Sequence, residues 1–566
     1  VEHYGNINVT AGNFSIGRGS QGSGAGTTIW NLHEGNFSMA NATTQNSNPT
    51  PGNAKFVFTK DGGVQNLLLS NVTYAGGGLP IQVDSAATLN MDTTAVGGNG
   101  AFILSPGATL QTAHPGGLNA AIATTGVVTL SEAANFTFNG TQAQAVGALL
   151  PDTLGVLTLS NPAGVAFNDT VRSAKLVVSP GTLMRIDSLG SVTADSGSVG
   201  GTVINKGELV AVAPLDFTNG SVYEHARDGG SVPSGVWNEG STALFTGVTT
   251  TAPENRGQDY YHLTLNTPGM VSNRDLALDG NTIHGNLTVI NTGLSRWQLV
   301  GGSSGTVTIR GDVIMESGQL ATQGTSSATN VVVEHYGDVN VSGGNFSIGR
   351  GSQGSGTGTT IWNLHEGNFS MANATTQNSN PTPGNAKFVF TKDGGTQNLT
   401  LSNVTYGGGG LPIQVDSSAT LNMDTTAVGG NGTFILSQNA TLATAHAGGI
   451  AGAVQSTGAL TFNEAASYIL NGTVAQVTST LMPDTVNGLA INNEAGVVLS
   501  QATVINGVLR LMAGEFDNTI PFKLGTNGSI SYEGGRLKVP VSVEERESEL
   551  PKEFALFQNY PNPFNP

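Results

Sequence analysis

The densest group of ionisable side chains in the body of this chain lies in residues 223–233, Y-E-H-A-R-D-G-G-S-V-P. The side chains that would supply a base, an acid and a cation there are Glu224, His225, Arg227 and Asp228. Enzymes that cleave polysaccharides use such groups for general acid–base chemistry. Because the group runs into a glycine-rich turn, we interpret it as structural or solvated and keep polysaccharide cleavage as the alternative.

The other histidines show no spacing typical of a metal site. Each is a lone residue after a strand-like segment, and H-x-x-x-H spacing does not occur. Those that recur in the chain are His3 and His335, and the dipeptides His33–Glu34 and His365–Glu366. The sequence contains no cysteine, which excludes thiolate catalysis, disulfides and cysteine-based metal centres. We therefore expect surface histidines and no cofactor.

The elements that must position these residues are short segments in which apolar and polar residues alternate, a pattern that predicts strands with one buried face. Such segments lie at 6–9, 13–16, 28–30, 36–39, 55–58, 66–69, 81–83, 88–91 and 102–104. Glycine and asparagine lie between them and suit turns. The asparagines beside the strands either stack as ladders or supply turn geometry; they include Asn13, Asn36, Asn345 and Asn368.

A long duplication organises the chain. The segment V-E-H-Y-G at 1–5 returns at 333–337. The match continues without a gap to Leu118 and Ile450 with the large majority of positions identical, and it then weakens but stays in register. Such long, near-identical duplications are commoner in arrays, stalks and adhesins than in catalytic domains. Since Val1 stands inside a repeat, we expect further chain before it.

A finer period predicts the fold. Similar strand-like segments recur at a nearly constant spacing, as from Phe14 to Phe37, from Ile81 to Phe102 and from Leu89 to Leu110. Rungs of about 22 residues with two or three short strands and glycine or asparagine corners are typical of a β-helix. We therefore predict an all-β chain, a right-handed parallel β-helix (β-solenoid). A string of β-sandwiches is the rival fold, but sandwich domains would repeat at about 100 residues.

Composition excludes two classes of partner. The formal net charge is −17 and basic residues do not cluster, whereas binding to nucleic acid needs groups of lysine and arginine. A helix that crosses a bilayer needs about 20 consecutive apolar residues. No apolar stretch of the sequence approaches that length, so we expect no membrane span. An acidic surface keeps a large protein soluble, which is the default interpretation of this charge.

The C-terminus has a different composition. A charged linker at 541–549 precedes L-P-K-E-F-A-L-F-Q-N-Y-P-N-P-F-N-P at 550–566. This stretch resembles the start of the C-terminal sorting domain recognised by the type IX secretion system of Gram-negative bacteria. The matching motif residues are Leu556, Gln558, Asn559, Tyr560, Pro561, Asn562, Pro563, Phe564, Asn565 and Pro566. In that family the domain continues as a small β-sandwich, so we interpret the copy here as incomplete.

This resemblance implies an exported protein, either secreted or held at the cell surface, whose partner is the type IX secretion machinery. A softer resemblance, carried by residues 223–248, is to segments of large repetitive proteins that bear the same sorting domain. It supports the class of exported protein and no particular activity.

The predicted organisation has five parts: solenoid copy 1 at 1–178, an unduplicated solenoid segment at 179–332, solenoid copy 2 at 333–540, the linker at 541–549 and the start of the sorting domain at 550–566. The predicted function is structural or adhesive: a stalk, an adhesin, or a component of a matrix or filament. Its candidate partners are surface glycans and further copies of itself. The alternative is a carbohydrate-active β-helix enzyme, such as a polysaccharide lyase or hydrolase.

Overall fold

The computed structural model describes residues 1–17, 26–46, 53–324, 329–350, 358–378 and 385–541. Nearly all regular structure in these residues is β-strand, and the paired strands run parallel. The two exceptions are five-residue helices, α1 (Gly117–Ala121) and α2 (Gly449–Ala453), which occupy equivalent positions in the two copies. The chain is therefore a parallel β-helix, as its periodicity predicts.

The strands of the first copy are β1 (Glu2–His3), β2 (Ile7–Val9), β3 (Gly12–Ser15), β4 (Thr28–Leu32), β5 (Phe37–Ala40), β6 (Ala42–Asn46), β7 (Ala54–Phe58), β8 (Val64–Ser70), β9 (Thr73–Gly76), β10 (Ile81–Val83), β11 (Thr88–Asn90), β12 (Phe102–Leu104), β13 (Thr109–Thr112), β14 (Val128–Leu130), β15 (Asn135–Phe138), β16 (Gln144–Ala145), β17 (Thr153–Leu159), β18 (Val165–Phe167) and β19 (Thr170–Val178).

The strands of the unduplicated segment, with the one that leads into copy 2, are β20 (Leu183–Ile186), β21 (Ser191–Ala194), β22 (Gly197–Val199), β23 (Thr202–Asn205), β24 (Glu208–Ala211), β25 (Leu215–Phe217), β26 (Val222–His225), β27 (Gly235–Trp237), β28 (Thr242–Phe245), β29 (His262–Asn266), β30 (Arg274–Asp275), β31 (Thr282–Ile283), β32 (Leu287–Asn291), β33 (Arg296–Val300), β34 (Gly305–Ile309), β35 (Val313–Met315), β36 (Gln319–Gln323) and β37 (Val331–His335).

The remaining strands are β38 (Val339–Val341), β39 (Gly344–Arg350), β40 (Thr360–Leu364), β41 (Phe369–Ala372), β42 (Ala374–Asn378), β43 (Ala386–Phe390), β44 (Thr396–Ser402), β45 (Thr405–Gly408), β46 (Ile413–Val415), β47 (Thr420–Asn422), β48 (Phe434–Leu436), β49 (Thr441–Thr444), β50 (Leu460–Phe462), β51 (Ser467–Leu470), β52 (Gln476–Val477), β53 (Thr485–Val486), β54 (Gly488–Asn492), β55 (Val497–Val498), β56 (Thr503–Ile505), β57 (Val508–Ala513), β58 (Glu515–Asp517), β59 (Phe522–Leu524), β60 (Ser529–Tyr532) and β61 (Arg536–Leu537).

Two compact units divide the chain. The first comprises residues 1–421, 428–435 and 455–461. In copy 1 its strands belong to four sheets. Their orders are β1-β4-β7-β10-β12-β14, β2-β5-β8-β11-β13-β15-β17-β19 (which continues into the unduplicated segment as β22-β25-β27), β3-β6-β9, and β16-β18 at the start of a further sheet. In copy 2 the equivalent sheets include the runs β34-β37-β40-β43-β46, β35-β38-β41-β44-β47 and β36-β39-β42-β45. The rungs therefore contribute strands to three faces, although some, such as the rung with β10 and β11, contribute only two.

The second unit comprises, of the described residues, 422–427, 436–454 and 462–541. Its own sheets are ordered β49-β51-β54-β57-β60, β52-β55-β58-β61 and β53-β56-β59. The same three-faced arrangement of parallel strands is present within this unit.

The register of the strands corrects one predicted spacing. Leu89 pairs with Leu110 and Ile81 with Phe102, which confirms these two spacings. Phe14 does not align with Phe37, however, because Phe37 lies beside Ile7. The length of a rung thus varies, from a short step between the paired residues 157 and 176 to a much longer one between residues 7 and 37. The first rung is long because it contains the glycine-rich residues 18–25. The alternation of apolar and polar residues alone does not reveal that such a segment lengthens a rung.

Apolar side chains at alternate strand positions fill the interior. In copy 2 the rings of Trp362 and Phe388 stack with centroids 5.5 Å apart, and Phe369 meets Phe388 edge-on at 4.9 Å. All three side chains are buried. Apolar residues that stack rung upon rung in this way bury surface continuously, which stabilises a parallel β-helix without disulfides.

Asparagine plays both of the roles considered for it. The side-chain Nδ2 of Asn66 donates to Oδ1 of Asn36 at 3.0 Å, and Asn398 donates to Asn368 at 2.9 Å, so ladders are formed. Asn71, which donates to Asn41 at 2.9 Å, also has a left-handed backbone, with a φ of 50°. Turn geometry and ladder formation therefore coincide in that pair.

The two other asparagines considered for ladders contact a different partner. Asn13 donates to Oε1 of Gln45 at 3.3 Å, and Asn345 donates to Gln377 at 3.5 Å. These are also bonds between neighbouring rungs, but the partner is glutamine.

Among the described residues, no helix is long and apolar enough to cross a membrane.

Candidate functional site

The predicted ionisable group at 224–228 is split between the inside and the outside of the β-helix. Strand β26 places His225 inside, where it is fully buried, because alternate residues of a strand point to opposite faces. Its Nε2 contacts the carbonyl oxygen of Gly229 at 2.8 Å, and its Nδ1 lies 3.2 Å from the hydroxyl of Tyr223. Glu224 points outward and accepts a hydrogen bond from the Thr246 hydroxyl at 2.8 Å.

Arg227 and Asp228 hold the turns next to this strand. The Arg227 guanidinium donates to the carbonyl oxygen of Gly207. The Asp228 carboxylate accepts the backbone N–H groups of Thr249, Thr250 and Thr251 at 2.8, 2.8 and 2.9 Å, and also the Thr250 hydroxyl. Desolvation opposes ionisation of Asp228, but these hydrogen bonds prevail and hold its pKa well below the ordinary value. Each of the four predicted side chains therefore has a different local partner.

A second polar group, which sequence reasoning did not assemble, lies at a corner of copy 2. Nε2 of His365 lies 2.6 Å from Oε2 of Glu334 on the preceding rung. Nδ1 of the same ring lies 3.1 Å from the hydroxyl oxygen of Thr391 on the following rung. Asn363 donates to both oxygens of the Glu334 carboxylate, at 3.3 and 3.2 Å. One imidazole thus connects three successive rungs.

Copy 1 contains the same corner. His33 contacts Glu2 through Nε2 and lies 3.1 Å from the Thr59 hydroxyl through Nδ1. Asn31 donates to Glu2 at 2.9 Å. The hydrogen bonds from His33 and Asn31 lower the pKa of the Glu2 carboxyl. We call each set of threonine, histidine and glutamate a Thr–His–Glu column: Thr391–His365–Glu334 in copy 2 and Thr59–His33–Glu2 in copy 1.

Aromatic and charged neighbours fix the histidine of each column. The ring of Tyr336 stacks on His365 with centroids 4.7 Å apart, and Arg310 lies 5.8 Å from the centroid of that tyrosine ring. Lys392, next to Thr391, pairs with Glu366 at 3.3 Å. In copy 1, Tyr4 stacks on His33, also at 4.7 Å. The orientation of each imidazole is therefore set by contacts with its ring face and with both of its nitrogens.

These columns could be recognised only in part from the sequence. His33 and His365 stand as lone residues in the sequence, and nothing in their local spacing indicates a partner. In both copies the histidine contacts a glutamate one rung earlier and a threonine one rung later. These partners can be identified from the sequence only when the rung lengths are known.

Two buried histidines differ from those of the columns. His335 is fully buried, accepts the indole N–H of Trp362 at Nδ1 (3.3 Å), and donates from Nε2 to the carbonyl oxygen of Gly311 (2.9 Å). Burial lowers the pKa of His335 to about 4, although the Gly311 bond and Asp338 act in the opposite direction. Burial, with the charge of Arg227, likewise lowers the pKa of His225. Both rings are therefore held neutral near pH 7, and the expectation of a surface histidine is wrong for His335.

The remaining predicted residues stand apart from these sites. The sorting motif at 556–566 lies outside the described residues. Within the described residues, no three histidine, aspartate or glutamate side chains converge closely enough to hold a metal ion. Elsewhere, His262 accepts the backbone N–H of Asn286 at 3.0 Å, and the nearby Tyr260 is buried.

No family model, no curated protein sequence and no solved structure matches the chain.

Proposed function

We propose that this chain is an exported structural β-solenoid, serving as a stalk, an adhesin or a component of an extracellular matrix or filament. The observation that carries the proposal is that surface polar side chains of both copies bond to the neighbouring rung. They form hydrogen bonds to the next rung, as in the row Asn6, Asn36, Asn66 and Asn90. Such ladders reinforce the backbone ladder along its length, which suits a load-bearing scaffold.

Adhesion is supported by the duplication. Two copies of nearly the same surface, one at the start of the chain and one from residue 333 onward, offer two equivalent sites to a partner. Two weak contacts on one chain raise the overall affinity when the partner is itself repetitive, as a glycan or a second copy of the chain is. Export rests on the resemblance of residues 550–566 to the type IX sorting domain.

The alternative, a polysaccharide-cleaving enzyme, would use Glu224 and Asp228. The Asp228 carboxylate is already occupied by three backbone N–H groups and a hydroxyl. A carboxylate held this way is a poor base. We therefore expect Asp228→Asn to loosen the 249–251 turn, and we expect no polysaccharide cleavage that this substitution removes.

The test combines three measurements on the purified chain. Electron microscopy should show uniform particles or fibres, and a glycan array should show binding that weakens when copy 2 is deleted. Incubation with a panel of acidic and neutral polysaccharides should release no products. Polysaccharide turnover that Asp228→Asn abolishes would refute the structural proposal.

Export is tested separately, in a bacterium that has type IX secretion machinery. Deletion of residues 550–566 should leave the chain in the periplasm, whereas deletion of the linker at 541–549 should not. If the two deletions behave alike, the sorting assignment is wrong, but the structural proposal is unaffected.

A further inference from the structure

Each Thr–His–Glu column places a hydroxyl within hydrogen-bond distance of an imidazole whose other nitrogen faces a carboxylate, and the chemistry that this allows goes beyond the proposed scaffold function. We propose that Thr391 and Thr59 are nucleophiles that take an acyl group from small, unhindered carboxylic esters, with His365 and His33 as their general bases. The argument rests on these contacts, on the rigidity of the corner and on the presence of the same set twice.

The contact with Glu334 determines which nitrogen of His365 carries a hydrogen. A carboxylate is only an acceptor, so the 2.6 Å contact between Glu334 and Nε2 of His365 requires a hydrogen on Nε2. In a neutral imidazole the other nitrogen, Nδ1, then carries a lone pair. That lone pair faces the hydroxyl oxygen of Thr391 at 3.1 Å.

The Thr391 hydroxyl has two acceptors within reach. One is the carbonyl oxygen of Leu364, to which the hydroxyl donates at 3.1 Å. That oxygen also accepts the backbone N–H of Thr391 at 3.1 Å and Nε2 of Gln397 at 2.9 Å. The other acceptor is Nδ1 of His365, also at 3.1 Å, from which the column continues through the imidazole to the Glu334 carboxylate.

Copy 1 has the same contacts. The carbonyl oxygen of Leu32 accepts the backbone N–H of Thr59 at 3.0 Å, Nε2 of Gln65 at 3.0 Å and the Thr59 hydroxyl at 3.0 Å. The Thr59 hydroxyl also lies 3.1 Å from Nδ1 of His33, whose other nitrogen faces Glu2. Nearby differences between the copies, such as Asn6 in place of Asp338, leave the column intact.

The corner holds this geometry in place. Glu334 lies in β37, and His365 and Thr391 directly follow β40 and β43, so the backbone ladders between these strands fix the spacing of the three side chains. The stacked Tyr336 covers one face of the His365 ring, and Asn363 orients the Glu334 carboxylate. A base that is already aligned with its nucleophile does not have to be ordered during the reaction.

The chemical step is an acyl transfer. As the threonine oxygen attacks the ester carbonyl, its proton moves to Nδ1 of His365, and Glu334 stabilises the resulting imidazolium. The intermediate collapses with cleavage of the ester C–O bond, and the imidazolium returns the proton to the departing alkoxide. The products are an alcohol and a threonine ester, which water then hydrolyses to a carboxylic acid and free threonine.

The surroundings limit the substrate. Thr391 and Thr59 are half-buried, so the proposal is confined to small acyl groups such as acetyl. A positioned general base contributes about 10²- to 10⁴-fold to such a step. We therefore expect slow acylation that exceeds the reactivity of an ordinary surface threonine by about 100-fold.

The experiment uses the whole chain and 4-nitrophenyl acetate as the probe. Peptide mass mapping should find acetyl groups on Thr391 and Thr59, at rates about 100-fold above that of the exposed strand residue Thr400. Thr391→Val should remove the first adduct and leave that on Thr59 as an internal reference. Thr391→Ser should restore labelling, and Glu334→Gln should slow it at this position only.

The base variant separates catalysis from structure. His365→Gln should slow labelling of Thr391 by about 100-fold while labelling of Thr59 stays unchanged. The proposal is overturned if Thr391 reacts no faster than Thr400, or if His365→Gln leaves its rate unchanged. Equal labelling of Thr59 in every variant shows that the chain is folded.

Discussion

Acidification should destabilise the rungs around His335, the most deeply buried titratable group of copy 2. The ordinary pKa of histidine is 6.5, and burial lowers that of His335 to about 4. Between these values the unfolded chain binds a proton that the folded chain does not, so stability is lost as the pH falls from about 6.5 to about 4. A difference of about 2.5 pH units, at about 1.4 kcal/mol each, corresponds to about 3.5 kcal/mol once the folded ring is fully protonated, and about 3 kcal/mol of it is lost by pH 4.

The structure identifies the bonds that protonation would break. In the neutral ring, Nδ1 accepts the indole N–H of Trp362 at 3.3 Å, and Nε2 donates to Gly311. A proton on Nδ1 would turn this acceptor into a donor that faces another donor, inside the buried core. The cost should therefore appear in the rungs that contain β34, β37 and β40.

Hydrogen exchange measured by mass spectrometry reports this local opening. The comparison is between the natural chain and His335→Gln, which cannot titrate but keeps polar atoms at this position. The ratio of their protection factors at residues 331–335 and 360–364 should fall about 100-fold between pH 7 and pH 4. Taking the ratio at each pH cancels the intrinsic effect of acid on exchange and the contribution of His225.

A ratio that stays constant within about threefold over this range would refute the reasoning, because it would mean that His335 has the same proton affinity in the folded and unfolded states. A lower stability of His335→Gln at pH 7 alone would not decide the matter, since the substitution also alters packing.

Three further predictions concern other parts of the same region. Asp338→Asn should raise thermal stability by a few tenths of a kcal/mol, because the carboxylate lies one rung from Asp312, whose Oδ1 accepts the Asp338 backbone N–H. Gln397→Ala should cost about 1–3 kcal/mol in denaturant unfolding, since it leaves two buried carbonyl oxygens with one donor fewer. Gly367→Ala should prevent correct stacking, because its Cβ would overlap the carbonyl of Gly337. By contrast, Gly394→Ala should cost only about 1–2 kcal/mol, from its positive φ.

Each of these three results has a clear counter-outcome. A destabilised Asp338→Asn would show that the carboxylate makes a favourable contact that the amide cannot replace. A neutral Gln397→Ala would mean that water satisfies the carbonyls, and a well-folded Gly367→Ala, seen by circular dichroism, would mean that the rungs can separate at this corner.

The fold was predictable because its main determinant is local. Alternation places apolar residues such as Leu89 and Leu110 on one face, and turn residues mark the corners. The pairing of strands was less predictable. Phe14 and Phe37 look equivalent in sequence, yet Phe14 pairs with Thr44 on another face, because three strands in each rung share the same alternation. Only the lengths of the loops decide which strands pair.

The candidate site was less predictable than the fold for the same reason. Glu224, His225, Arg227 and Asp228 are neighbours in sequence, but a strand points adjacent residues in opposite directions, so they separate. Glu334, His365 and Thr391 are distant in sequence, and the stacking of rungs brings them together. Knowledge of the register would have been enough to find them.

This contrast indicates where chemistry can arise in a parallel β-helix. Each outward side chain meets the residue in the equivalent position one rung away, so columns rather than local motifs bring functional groups together. A column of like residues, such as Asn36 and Asn66, yields a ladder. A column that holds a carboxylate, an imidazole and a hydroxyl in order yields a proton path. Duplication by a whole number of rungs copies such a column intact, because it preserves the register along with the residues.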